Sequence, residues 1–165
     1  INGCRRNVDM TVICINNNIY GMTGGQASIT TPHEFLSTTT PYGNKEYPFD
    51  LAEIAVAAGA NYVARWTTRH VHELTKSLKI ALQKKGFAFV EVVSQCPTNF
   101  GRRNRMADPS QMLGWFKENS VRRDKTRRAA VDHVDLNLAG QVTVGEFVDR
   151  NRECYEELIG VEKHG

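Results

Sequence analysis

No run of apolar residues in this 165-residue sequence approaches the ~18 needed to cross a bilayer, so no segment reads as a membrane-spanning helix. Charge of one sign is also scarce. Twenty-one Lys and Arg against 18 Asp and Glu leave a net charge of +3, too little to argue for nucleic acid as a partner. Cysteine is sparse, at positions 4, 14, 96 and 154 only. No CxxC pair is present, which excludes a zinc ribbon and a thioredoxin-type motif. Scattered, unpaired cysteines fit a reducing cytoplasm, and Cys14, inside an apolar run, is expected in the core. Residues 1–15 lack the charged-then-apolar pattern of a secretory signal. Internal repeats and low-complexity tracts are missing too. What remains is an ordinary globular composition, 41% apolar and 24% charged, long enough for one domain with a real core. The first strand starts so close to Ile1 that the sequence is expected to begin in the middle of a fold.

The most informative stretch is residues 10–26, MTVICINNNIYGMTGGQ. Its apolar run, Met10 to Ile15, predicts a buried strand that stops at three asparagines and then a glycine-rich turn. Such a strand delivers ligand groups to the carboxyl edge of a sheet, where open α/β sheets bind cofactors. Asparagine carbonyls are hard oxygen donors suited to Mg²⁺ or Ca²⁺, and glycines let backbone amides approach a phosphate. Asparagines after a strand are equally at home as turn formers.

The order of elements predicts an α/β fold. A strand at about 9–16 is followed by a long irregular segment at 17–48 of the functional-loop kind. Asp50 caps a short helix ending at Gly59, and 61–66 is a strand. Thr67 or Thr68 caps a helix running to about 85, with Val71, Leu74, Leu78, Ala81 and Leu82 on one face. Residues 87–93 form a third strand. This alternation implies a parallel sheet flanked on both faces by helices. Beyond 94 come an arginine-bearing loop, an amphipathic helix at 109–120, a basic run at 122–128, a short strand at 142–148 and a helix near 152–159. The expected division is a binding domain over 1–95 and an extension over 96–165.

The string after the first strand resembles the second half of the thiamine diphosphate motif. Taken with RRN-x-D, TTP, PFD, AGA-x-YVAR, GF-x-FVEV-x-SQCPT and GRRN, it resembles the beta subunit of 2-oxoacid:ferredoxin oxidoreductases of the 2-oxoglutarate and branched-chain types, over essentially the whole chain. The resemblance implies that Asn17 gives a side-chain oxygen and Ile19 a backbone carbonyl to Mg²⁺. Tyr20, Gly21, Met22 and Thr23 would line the diphosphate and thiazolium end, while Asn16 and Asn18 fix the turn. It also implies that Cys96 is the fourth thiolate of a [4Fe–4S] cluster, a centre that needs four. The activity implied is oxidative decarboxylation of a 2-oxoacid, 2-oxoglutarate first, to the acyl-CoA with ferredoxin as electron acceptor. Partners would be an alpha subunit supplying the essential glutamate, with gamma and delta subunits as further candidates. No general acid or base is named in this chain.

The motif's first half, Gly-Asp-Gly, does not occur in this sequence. Only two of the three protein ligands to Mg²⁺ are therefore present, and the isolated chain is expected to be inactive. The competing readings are a branched-chain oxidoreductase, a cluster-free thiamine-dependent decarboxylase or synthase, and a non-catalytic assembly module. Arg102, Arg103, Arg105 and the 122–128 run are either a solvated basic face or a dock for acidic ferredoxin or the coenzyme A pyrophosphate. His70 and His72 stand two apart and share no helical face. Trp66, Trp115 and Phe116 are expected in a core or interface, and the 27–48 loop over the cofactor or against a partner.

Overall fold

The computed structural model describes residues 1–123 and 141–160. Five strands form one sheet in the order β1-β3-β2-β5-β4. They are β1 (Thr11–Asn16), β2 (Tyr62–Thr67), β3 (Ala88–Val93), β4 (Ser120–Arg122) and β5 (Val142–Asp149). The helices are α1 (Asn2–Arg6), α2 (Leu51–Ala57), α3 (Val71–Gln83), α4 (Pro109–Asn119) and α5 (Tyr155–Leu158).

β1, β3 and β2 run parallel, in the register Cys14↔Glu91↔Arg65, as alternation of strands and helices predicts. β5 departs from that rule and joins β2 antiparallel. Helices cover both faces. On one, Leu74, Leu78 and Ala81 of α3, with Phe116 of α4, pack on Ala64, Trp66, Val90 and Val92. On the other, Ala52 and Ala55 of α2 pack on Val63 and Phe87, with Val12, Phe89 and Phe147 beside them. Trp66 and Phe116 are buried and Trp115 packs partly buried against the same cluster.

Two expectations need correction. β1 is not a buried strand. It is the sheet edge among the described residues, so one flank and part of one face are uncovered, and Ile13 and Ile15 are 47% and 59% exposed. Cys14 is accordingly half-buried rather than core, and burial first, then the neighbouring Glu91 carboxylate, holds its thiol above the ordinary value. The start of α3 also differs. His70 holds the cap position without a side-chain cap bond. Thr67 is still in β2, with its hydroxyl 2.8 Å from His70 Nδ1, and Thr68 donates to Gln95 Oε1 at 2.5 Å. Val71 and Leu82 flank the apolar stripe of α3 and are exposed. Asp50 does cap α2, accepting from Glu53 N at 2.9 Å. The 109–120 helix, the 142–148 strand and the 152–159 helix fall on α4, β5 and α5.

Candidate functional site

The parallel strands β1 and β3 end side by side, and the chain beyond each carries polar groups to a common edge. Asn16 closes β1 and its carbonyl accepts from Ser94 N at 2.9 Å. Ser94 in turn donates its hydroxyl to Asn17 Oδ1. Asn18 adopts a left-handed conformation, φ 58°, so the chain reverses between Asn17 and Ile19. The Ile19 side chain is buried against Phe100 and Met112, while its carbonyl accepts from Gly21 N at 3.1 Å.

Residues 20–26 close into a small loop. Tyr20 N donates to Gln26 O at 3.0 Å and Gly25 N to Tyr20 O at 2.9 Å. Gly25 sits at φ 88°, and a Cβ there would meet Asn99 at 3.1 Å, so the position demands glycine twice over. Met22 stands at the tip, fully exposed, with Thr23 beside it. Thr23 and Gln26 bind one another through Thr23 Oγ1 to Gln26 Oε1, 2.6 Å.

The second wall is the loop after β3. Cys96 precedes a π-type turn, Pro97–Gly101, in which Gly101 N donates to the Cys96 carbonyl at 2.9 Å. Such turns are rare and concentrate at functional sites. Asn99 in this turn donates Nδ2 to the Gly21 carbonyl at 2.8 Å. A Cβ on Gly21 would lie 3.2 Å from Cys96 Sγ, so the two loops touch. The structure thus brings Asn17, Ile19, Tyr20, Gly21, Met22, Thr23 and Cys96 to one edge. Arg102, Arg103 and Arg105 follow, exposed. Arg122 and Arg123 pair with Glu73 and Glu53, and the rest of the 122–128 run lies outside the described residues. His70 packs against Trp66, ring centroids 5.7 Å apart.

Behind the turn lies a buttress that the sequence reading missed. Thr30 Oγ1 donates to Asn16 Oδ1 at 2.7 Å, and Thr31 Oγ1 donates to the Asn18 carbonyl at 2.7 Å. The 27–48 loop therefore braces the turn from behind. Asn16 Nδ2 donates to Glu91 Oε1 at 2.7 Å. Glu91 Oε2 accepts from Arg65 Nε at 2.7 Å, and the Arg65 terminal nitrogens reach the Asp50 carboxylate. Arg65 and Glu91 are each 1% exposed. Burial alone would drag the guanidinium pKa down, yet the Glu91 and Asp50 carboxylates together raise it above its ordinary value. The missed signal was a cation in YVARW and an anion in FVEVV, each inside an apolar strand where a charge survives only when paired.

Asn17 Oδ1 and the Ile19 carbonyl each hold one protein donor and keep a second lone pair. Neutral oxygens of this kind fit Mg²⁺, which takes few protein ligands and fills its octahedron with phosphate oxygens and water. The sulfur chemistry fits less well. All four cysteines are free thiols, and the described residues contain no group of three His, Cys, Asp or Glu placed to hold a metal ion. Cys96 is one thiol where a [4Fe–4S] cluster needs four.

Comparison with known proteins follows the same lines. The sequence profile of "Thiamine pyrophosphate enzyme, C-terminal TPP binding domain" matches residues 1–92. The chain is 55% identical to 2-oxoglutarate synthase subunit KorB of Methanocaldococcus jannaschii, over 96% of the chain and 57% of the relative. It is also 55% identical to the same subunit of Methanothermobacter thermautotrophicus, over 100% of the chain and 57% of the relative. A solved structure of 2-oxoglutarate:ferredoxin oxidoreductase from Magnetococcus marinus, with 2-oxoglutarate, coenzyme A and succinyl-CoA bound, superposes with a TM-score of 0.74. The match has 25% identity and covers 99% of this chain and 57% of that one. The chain thus spans little more than half the length of these relatives.

Proposed function

Because the chain belongs to the thiamine pyrophosphate enzymes, through their C-terminal TPP-binding domain, we propose that it forms part of the beta subunit of a 2-oxoglutarate:ferredoxin oxidoreductase. The observation that carries the proposal is the Asn17–Thr23 turn at the carboxyl edge of parallel strands, in a chain 55% identical to 2-oxoglutarate synthase subunits. Asn17 Oδ1 and the Ile19 carbonyl are the proposed Mg²⁺ ligands. Tyr20, Gly21, Met22 and Thr23 are the proposed lining of the diphosphate end, held in place by Asn99. Held there, thiamine diphosphate would supply the carbon nucleophile for decarboxylating a 2-oxoacid, with two electrons passing on to ferredoxin as the acyl group is transferred to coenzyme A.

Cys96 is proposed as a single thiolate ligand of a [4Fe–4S] cluster, its companions coming from outside this chain. An acid or base for the reaction is likewise assigned to a partner, the alpha subunit, with gamma and delta subunits completing the assembly. We divide the chain at 95/96, the first part carrying the cofactor edge and the second the Cys96 loop, α4 and the tail. Free thiols support a reducing cytoplasmic setting. No helix among the described residues is long and apolar enough to cross a membrane.

The test uses the full-length subunit in its complex, assayed for ferredoxin reduction dependent on 2-oxoglutarate and coenzyme A, against a branched-chain 2-oxoacid. Asn17→Ala is expected to lose Mg²⁺-dependent retention of thiamine diphosphate, and Cys96→Ser to lose iron and visible absorbance. A complex that binds no thiamine diphosphate, or an Asn17→Ala variant that binds it normally, overturns the reading.

A further inference from the structure

The proposed ligands Asn17 and Ile19 are separated by one residue, Asn18, so whatever fixes the Asn18 backbone sets the relation between the two oxygens. That fixing group is Asn16. Its Oδ1 accepts from Asn18 N at 2.9 Å as well as from Thr30 Oγ1 at 2.7 Å, and its Nδ2 donates to Glu91 Oε1 at 2.7 Å. Only one orientation of this amide works. Reversed, it would press Oδ1 against the Glu91 carboxylate and its NH₂ against the Asn18 amide. Glu91 is held in turn by Arg65 Nε at 2.7 Å, and Arg65 by Asp50, the cap of α2. The face of the Arg65 guanidinium is closed by Phe147 of β5, 5.1 Å from the ring centroid.

We infer that Glu91, with Arg65 behind it, is a positioning residue for the metal-binding turn, sharing the Asn16 amide with Thr30. It touches neither Mg²⁺ nor thiamine diphosphate and acts through the Asn16 amide. The inference rests on the reading of Asn17 and Ile19 as the Mg²⁺ ligands. The chemistry favours a charged group in this place. A carboxylate makes a stronger, shorter bond to the Asn16 amide than a neutral acceptor does, and Mg²⁺ tolerates little departure from octahedral geometry. Three strands converge on this one carboxylate. Glu91 lies on β3 between β1, which carries Asn16, and β2, which carries Arg65, so a shift of any strand is felt at the turn.

The experiment measures thiamine diphosphate binding by calorimetry in the full-length subunit within its complex, as a function of Mg²⁺ concentration. Four proteins are compared: wild type, Glu91→Gln, Thr30→Val and Asn17→Ala. Glu91→Gln and Thr30→Val are each expected to raise the Mg²⁺ needed for half-maximal binding by about tenfold, as loss of an outer partner does at other metal sites. Excess Mg²⁺ restores full binding and the wild-type kcat. Asn17→Ala is expected to be worse and not rescued. A change that merely loosened the fold would lower the unfolding midpoint without moving the Mg²⁺ requirement. A wild-type Mg²⁺ requirement in Thr30→Val, or in a folded Glu91→Gln, while Asn17→Ala is impaired, overturns the positioning role and leaves the ligand assignment standing. If Glu91→Gln does not fold, Thr30→Val, which removes one hydroxyl, decides alone. A wild-type requirement in Asn17→Ala removes the ligand assignment and this inference with it.

Discussion

Take away the Arg65 guanidinium and two carboxylates are left facing each other across β2, one of them wholly buried. Arg65→Met keeps the length of the side chain and deletes its charge. It is expected to cost about 3–5 kcal/mol of stability, the range found when one partner of a buried pair is removed. A denaturant midpoint measures it. Adding Glu91→Gln to Arg65→Met is expected to recover part of that loss, since the stranded charge goes too, and the double-mutant cycle isolates the pair. Simple additivity of the two costs would mean that the ions do not depend on one another. Tyr62, on the same strand, is a contrasting case. Burial, above the smaller influence of Glu146, pushes its phenol up to about 12, so it remains neutral and donates to Glu146 Oε1 at 3.2 Å.

At the scale of the element, α3 begins on a residue poorly suited to charge. His70 occupies its cap, half-buried beside Trp66 and the Thr67 hydroxyl. Burial is the main cause that holds its pKa below the ordinary 6.5. Arg122 and Arg69 push the same way and Glu73 opposes them. A cation at a helix amino terminus is also disfavoured by the helix dipole. The folded state therefore prefers neutral His70, and between the folded and unfolded values the unfolded chain binds more protons. Stability is full above 6.5 and declines as pH falls below it toward the lower folded value. Melting temperatures between ~pH 7.5 and ~pH 5 are expected to fall less in His70→Gln than in wild type; parallel curves would remove His70 as the cause. The sequence made the helix itself readable through Leu74, Leu78 and Ala81, spaced for one face. Its start was not readable, because Thr67 and Thr68 are both good cap residues and only the reach of β2 decides that neither serves. The candidate site divides in the same way. Asn17, Gly21 and Cys96 carry their own local signals. Ser94, Asn99 and Thr30 do not, since a serine, an asparagine or a threonine in a loop is unremarkable until folding sets it against a partner far away in the chain.

For the whole molecule, the distant ends of the described chain are stitched together at Asn7. Its Nδ2 donates to the carbonyls of Arg152 and Glu153 at 3.1 and 2.9 Å, and its Oδ1 accepts from Phe87 N at 2.9 Å. Asn7→Ala strands these buried groups and is expected to cost about 2–4 kcal/mol, with faster proteolysis of the 150–160 segment as the local readout. Unchanged cleavage there would mean that β5 alone holds the tail. Among the described residues, by contrast, the outer flank of β1 has no backbone partner. In β1, the Met10 and Asn16 carbonyls accept from Ala88 N and Ser94 N, so the backbone groups of Val12, Cys14 and Asn16 turn toward β3, and those of Thr11, Ile13 and Ile15 turn away. Deuterium uptake along this one strand should therefore alternate residue by residue, slow at 12, 14 and 16 and fast at 11, 13 and 15. In the assembled complex the same three fast amides become a built-in gauge, since they slow only when another backbone docks along that flank.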